Sequence, residues 1–264
     1  MEIIQHNNLT QFLAFIPKIK NDIHEWRLIN ISLTKSADGS IFYIAKKLWE
    51  FLKKSEGEIF ICNSREILAL VKTGVNADMD ALKKGIKNSF AEYECVIDIV
   101  ETTQAGLQKI EIRLRQEKTG DETIASANSA ASLIVRAREK RQSNVIMIAE
   151  DDMFMRSLIK KGVEAHGSIT ALEDGSTVVD TYLKILPDIL FLDIHLPVRS
   201  GIEILSEILT FDRDAYIVML SSDSAKDNVL NTQKIGARGF IAKPFTKEKL
   251  EETLWKCPTI MQKK

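Results

Sequence analysis

The chain predicts an α/β protein whose C-terminal half is a doubly wound, five-stranded parallel sheet, preceded by an α+β domain. Three observations predict it. Five short apolar runs recur between residues 144 and 264, each followed by a stretch long enough for a helix. Runs of that length between turn signals read as strands buried on both faces, and their alternation with helices implies parallel pairing. The N-terminal half instead breaks into strand, helix, hairpin, helix, strand, a βαββαβ order. At 264 residues the chain exceeds most single cores and divides into two domains.

Composition narrows the functional classes. A hydrophobic content of 45% with 28% charged residues marks a soluble globular protein. The net charge of −1 gives no electrostatic case for nucleic acid or anionic lipid. Cys62, Cys95 and Cys257 are odd in number and far apart. They fit neither a metal site nor a disulfide framework, which points to a reducing compartment. No uninterrupted apolar run approaches the roughly 18 residues of a membrane span, and the first residues lack a basic, then apolar, leader. The cytoplasm is the expected location, without membrane insertion.

Residues 1–118 form the first domain. Leu9, Phe12, Leu13 and Ile16 make a helical stripe interrupted by Pro17, with Ile19 and Ile23 continuing it as a second turn. Arg27 to Leu33 reads as a strand, and Ile41 to Leu52 has helical spacing. Glu58 to Cys62 and Glu66 to Val71 flank Asn63-Ser64-Arg65 as a hairpin. Ala81, Leu82, Ile86 and Phe90 suggest another helix. Cys95 to Val100 and Leu107 to Leu114 read as two more strands. The plan predicts an antiparallel sheet with helices on one face.

That plan resembles the core of GGDEF-type nucleotide cyclase domains, in degenerate form. The family's signature occupies the hairpin turn, where this chain has Asn63-Ser64-Arg65-Glu66-Ile67 and only Glu66 matches. The glycines that let backbone approach a nucleotide are missing. Thr34-Lys35-Ser36-Ala37 stands where the family carries a metal-binding aspartate. Lys53-Lys54-Ser55-Glu56 lies near the family's inhibitory dinucleotide site and matches it in charge only. The expectation is therefore no cyclase activity. The alternative is a nucleotide or cyclic-dinucleotide binding module gated by the second domain. Residues 1–120 hold 17 basic and 16 acidic residues, so no basic stripe rescues a nucleic-acid role.

Residues 119–143 read as a linker. Ile124, Ala127, Ala131 and Ile134 lie at helical spacing before the basic run Arg136, Arg138, Lys140 and Arg141. A tether, or a helix packed on one domain, fits better than a coiled coil of two small-residue heptads.

Residues 144–264 carry the chemistry. The strands are Val145 to Ala149, Ser168 to Leu172, Ile189 to Leu192, Tyr216 to Leu220 and Gly239 to Ala242. The helices are Met153 to Ala165, Ser176 to Leu186, Ile202 to Phe211, Lys226 to Ile235 and Lys247 to Trp255. In a flavodoxin-like order 2-1-3-4-5, strands one and three are neighbours at the switch point. Their ends bring Glu150-Asp151-Asp152 beside Asp193, and strands four and five add Ser221-Ser222 and Lys243. Clustered carboxylates call for a hard divalent cation, with Mg²⁺ the natural choice. Carboxylate, cation, lysine and hydroxyl together suit a transferable phosphoryl group. Asp193 is the expected nucleophile, Lys243 the charge partner, and Ser221 the hydroxyl that binds a phosphoryl oxygen. Asp151 and Asp152 have a competing reading as caps of the following helix.

This constellation resembles the receiver domain of two-component response regulators across the whole segment. Glu150-Asp151-Asp152, Asp193 with Gly201 eight residues on, Ser221-Ser222 and Lys243-Pro244-Phe245 stand in the family's order and spacing. The resemblance implies phosphorylation of Asp193 by a sensor histidine kinase or phosphotransfer protein. It implies Mg²⁺ held by Asp152, Asp193 and the backbone carbonyl of His195, with Asp151 nearby or through water. It also implies a cis Lys243–Pro244 peptide. Serine replaces the commoner threonine at 221, and the aromatic switch position is Phe240, which has no hydroxyl. The His195 side chain stands where the family tunes dephosphorylation. The chain ends soon after the last receiver helix, so output is expected through residues 1–118 or the receiver surface. Association with a second copy or with another protein is one expected form of that output, and a phosphate sink is a rival.

Overall fold

The computed structural model describes residues 1–4, 8–34, 40–119, 130–222 and 232–260. It divides into two compact units, Met1–Leu133 and Ile134–Lys264. The N-terminal unit comprises β1 (Glu2–Ile4), α1 (Asn8–Ile19), β2 (Trp26–Leu33), α2 (Ser40–Leu52), β3 (Gly57–Asn63), β4 (Glu66–Lys72), α3 (Met79–Ser89), β5 (Cys95–Glu101) and α4 (Gln104–Thr119). Its sheet runs β1-β3-β4-β2-β5. Four strands are antiparallel, as the βαββαβ plan requires. The short β1, absent from the sequence reading, adds to β3 in parallel.

Two expectations for this unit need correction. Leu107 to Leu114, read as a strand, lies in α4. The alternation of Ile110, Ile112 and Leu114 imitates a strand, but Ile112 is 55% exposed. The buried set is Leu107, Ile110 and Leu114, one face of a helix. The Thr103 hydroxyl oxygen accepts from the Gly106 amide at 3.0 Å and steadies the start of α4. Helices also cover both faces of the sheet rather than one. Phe12 and Phe15 of α1 and the α4 residues pack on Trp26, Phe60, Leu68 and Leu70. The opposite face, with Ile29, Ile31, Ile59, Ile61, Ile67 and Ala69, is equally buried, and α2 and α3 pack against the sheet there. Each such apolar side chain contributes about 1.5–3 kcal/mol on burial. The loop read at residues 36–40 falls mostly outside the described residues.

The C-terminal unit takes in the end of α5 (Ala130–Glu139), followed by β6 (Val145–Ala149), α6 (Met153–Val163), β7 (Ser168–Leu172), α7 (Val178–Ile185), β8 (Ile189–Asp193), α8 (Gly201–Phe211), β9 (Ile217–Ser221), β10 (Gly239–Ala242) and α9 (Lys247–Leu254). The sheet order is β10-β9-β8-β6-β7, parallel throughout. This is the flavodoxin-like order the strand ends predict. Residues 226–231 of the helix expected at 226–235 lie outside the described residues, and 232–235 are helical. Ile146, Ile148, Phe191, Val218, Leu220, Ile159 and Leu250 lead the core on one face.

The division between units falls inside the stretch read as a linker. Ile134 and Ala137 are buried. Arg138 donates through Nη2 to Asp212 Oδ2 at 2.6 Å and to the Tyr182 hydroxyl at 2.8 Å, and through Nε to the Pro187 carbonyl at 3.0 Å. Arg141 donates to the carbonyls of Ile185 and Leu186 at the end of α7, where carbonyls lack helical partners. Burial pulls the Arg138 pKa down, but Tyr182 and Asp212 outweigh it and hold the guanidinium above its ordinary value. Burial, with Asp212 adding to it, pushes the Tyr182 phenol well up. The last turns of α5 are thus part of the C-terminal unit's own packing.

Candidate functional site

The site lies at the carboxyl edge of the parallel sheet, where β6 and β8 are neighbours. All five residues of β8 are buried, and Asp193 at its end is 4% exposed. The following loop is drawn tight, with the Gly201 amide donating to the Ile194 carbonyl at 2.9 Å. A Cβ on Gly201 would lie 2.1 Å from the Asp193 carbonyl oxygen. Only glycine permits this approach.

Lys243 arrives from the end of β10. Its amide donates to the Ser221 carbonyl at 2.8 Å, and the Lys243–Pro244 peptide is cis. The ammonium donates to Glu150 Oε1 at 2.8 Å, contacts Glu150 Oε2 at 2.7 Å and lies 3.1 Å from Asp193 Oδ1. The Oε2 contact lacks hydrogen-bond geometry, so that buried oxygen is left without a hydrogen bond. Glu150, Asp151 and Asp193 each place a carboxylate oxygen within 4.8 Å of the others. At that separation each charged pair repels by on the order of 3 kcal/mol at an effective dielectric of about 20. Burial pushes the Glu150 pKa up; Lys243 draws it back, and Asp193 and Asp151 push it further up.

This geometry changes one metal-ligand assignment. Asp152 was expected to hold the cation. Its carboxylate instead accepts from the Met155 amide at 2.7 Å as the N-cap of α6, although it also borders the cavity. The carboxylate that joins Asp151 and Asp193 is Glu150, fully buried. An Asp immediately before a helical run is a capping signal, and it marks the last of the three acids as the cap. The sequence reading offers Asp152 both as a cation ligand and as a cap, and gives Glu150 no ligand role.

An open cavity of ≈ 580 Å³ is lined by Glu150, Asp151, Asp152, Met155, Asp193, His195, Ser222, Lys243 and Pro244. Ser222 therefore faces the cavity, while Ser221 is fully buried at the end of β9. The His195 side chain is exposed on the rim. Phe240 is half-buried in β10, in register with Met219. Sequence reasoning also missed Arg156, which binds the β6–α6 turn from below.

The donor set fits a hard divalent cation. The three grouped ligand candidates are all carboxylates, and Glu150 Oε2 is buried without a hydrogen bond. Glu150, Asp151 and Asp193 are the carboxylates placed to hold it. Among the described residues no helix is long and apolar enough to cross a membrane.

Known proteins match this half of the chain. The family model of the response regulator receiver domain matches residues 146–254. The chemotaxis protein CheY of Halobacterium salinarum is 34% identical over 110 residues, which are 41% of this chain and 92% of that protein. Protein CcdB of Bacillus subtilis is 36% identical over 111 residues, with the same coverage of 41% and 92%. Among solved structures, the chemotaxis response regulator CheY4 of Vibrio cholerae covers 44% of this chain and 99% of that one, at 21% identity and a TM-score of 0.42.

Proposed function

We propose that this chain, which belongs to the response regulator family through its receiver domain at residues 146–254, accepts a phosphoryl group on Asp193 and converts it into altered protein–protein contact. The observation that carries the reading is the pairing of buried Asp193 with Lys243 at 3.1 Å inside an all-oxygen acidic cluster. A carboxylate so placed is an oxygen nucleophile with its charge compensation already assembled.

The proposed donor is a phosphohistidine on a sensor kinase or phosphotransfer protein. One Asp193 carboxylate oxygen forms a bond to phosphorus as the nitrogen–phosphorus bond breaks. The released imidazole keeps the electron pair, and the product is an acyl phosphate on Asp193. Lys243 balances charge on the phosphoryl oxygens while retaining its contact with Glu150. Glu150, Asp151, Asp193 and the His195 carbonyl would hold Mg²⁺, which would supply Lewis-acid neutralisation of the phosphoryl charge. Ser221 is proposed to turn toward the new phosphoryl oxygen, and Phe240 to repack with it. Because Phe240 has no hydroxyl, its signal is carried by packing alone.

The readout is assigned to protein partners, with dimerisation one form of it, in the cytoplasm. The N-terminal unit is proposed as a non-catalytic module, since its hairpin turn Asn63–Arg65 lacks glycine. Incubation with GTP and Mg²⁺ is expected to give no cyclic dinucleotide. The switch is tested with beryllofluoride and Mg²⁺, read by light scattering and by hydrogen exchange across β9 and β10. Slower exchange at Ser221 and Phe240 is expected. Unchanged exchange there contradicts the switch.

A further inference from the structure

The geometry assigns to Arg156 the role of positioning residue for the acidic pair Glu150 and Asp151, an assignment that rests on the receiver reading above. Arg156 sits one turn into α6, and its side chain folds back under the turn that joins β6 to α6. Its Nη1 donates to the Glu150 carbonyl at 2.7 Å and to the Asp151 carbonyl at 2.9 Å. That nitrogen carries two hydrogens, one for each carbonyl. Its Nη2 lies 3.5 Å from Glu173, and the guanidinium is largely buried, with 17% of the side chain exposed.

Four backbone groups of the turn have a hydrogen-bond partner. The Glu150 amide donates to the Leu172 carbonyl at 3.1 Å. The two carbonyls are held by Arg156, the Asp152 carbonyl accepts from the Arg156 amide at 2.9 Å, and the Asp152 side chain caps Met155. The turn is therefore clamped from both ends while the carboxylates of Glu150 and Asp151 meet Asp193. Three mutually repelling carboxylates would relax apart on a loose turn. The clamp keeps them together so that a cation need not pay for assembling them. Lysine offers one ammonium at the end of a flexible stem and cannot reproduce the fixed two-carbonyl grip.

Charge and position predict opposite signs. If Arg156 acts only as a nearby positive charge, its removal tightens cation binding and R156K changes nothing. If it positions the pair, both R156M and R156K weaken binding. The experiment is Mn²⁺ titration of the full chain by electron paramagnetic resonance, with thermal melting in chelator to check folding. The expected result is about 10-fold weaker Mn²⁺ binding for R156M and R156K, with E173Q close to wild type. R156K bound as tightly as wild type, or R156M bound more tightly, overturns the assignment while leaving the receiver reading intact. Wild-type protein that binds no Mn²⁺, or D193N that binds like wild type, overturns both.

Discussion

Lys243 Nζ lies 3.1 Å from Asp193 Oδ1, joining the end of the fifth receiver strand to the end of the third. The same ammonium contacts the fully buried Glu150. Lysine is the cation that holds this acidic corner together without metal. Lys243→Met is predicted to destabilise the metal-free receiver by about 3 kcal/mol, because it leaves buried carboxylates without a counter-charge. Millimolar Mg²⁺ should then raise the melting temperature of the variant more than that of wild type, since the metal replaces the lost charge. Melting with and without Mg²⁺ checks both; an equal metal response in the two proteins contradicts the account.

Gly201 packs against the Asp193 backbone. Gly201→Ala would drive a methyl against the Asp193 carbonyl oxygen, 2.1 Å away before relaxation. The expected cost is about 1–3 kcal/mol, with slower phosphoryl acceptance because the end of β8 shifts. Melting and phosphorylation rates of the variant measure the two effects, and a variant like wild type in both shows that the contact relaxes freely.

The strand ends of the receiver were legible because buried parallel strands read as continuous apolar runs, and a polar residue at the end of such a run is conspicuous. Asp193, Lys243 and the Ser221-Ser222 pair stood out for that reason. The position before the helical run marks Asp152 as the cap, but nothing in the sequence shows that Glu150 turns inward to join Asp151 and Asp193. Hydrogen bonds from a later turn of α6, such as that of Arg156 to the Glu150 carbonyl, leave no spacing signal. In the N-terminal unit, Ile112 gave α4 a false alternation, and the three residues of β1 are too few to show any period. The sequence leaves the end of α5 open between a tether and a helix packed on one domain, because its anchoring is done by two arginines, residues that sequence reading assigns to solvent.

Arg138 gives that anchoring a measurable size. Arg138→Ala strands Asp212 and Tyr182 in a buried setting where side-chain exposure of the ion pair is 4% and 3%. Breaking a buried pair on one side costs about 3–5 kcal/mol. Hydrogen exchange of the amides at Leu186 and Asp212, both bonded to helix carbonyls, should accelerate by about 100-fold or more as local opening becomes easier. Unchanged exchange there means that α5 is not part of the receiver's packing.

The Asp22–Lys72 pair is expected to make the N-terminal unit sensitive to acid. Lys72 hydrogen-bonds Asp22 and holds its carboxyl below the usual range. The contribution is full above the unfolded carboxyl pKa of about 3.9 and is lost as pH falls through the lower folded value. Lys72 is raised by the same contact, so its share is full below about pH 10.4 and lost as pH rises through the higher folded value. Asp22→Asn should therefore melt lower than wild type at neutral pH, with the gap closing below about pH 4. A gap that persists in acid contradicts the pairing.

Phosphoryl acceptance is assigned to Asp193. The most direct measurement treats wild type and Asp193→Asn with acetyl phosphate and Mg²⁺, reduces any acyl phosphate with borohydride, and maps the product by peptide mass. A single modified residue is expected, Asp193 converted to homoserine in wild type, with none in the variant. Wild-type protein without modification at Asp193, or equal modification in the variant, would contradict it.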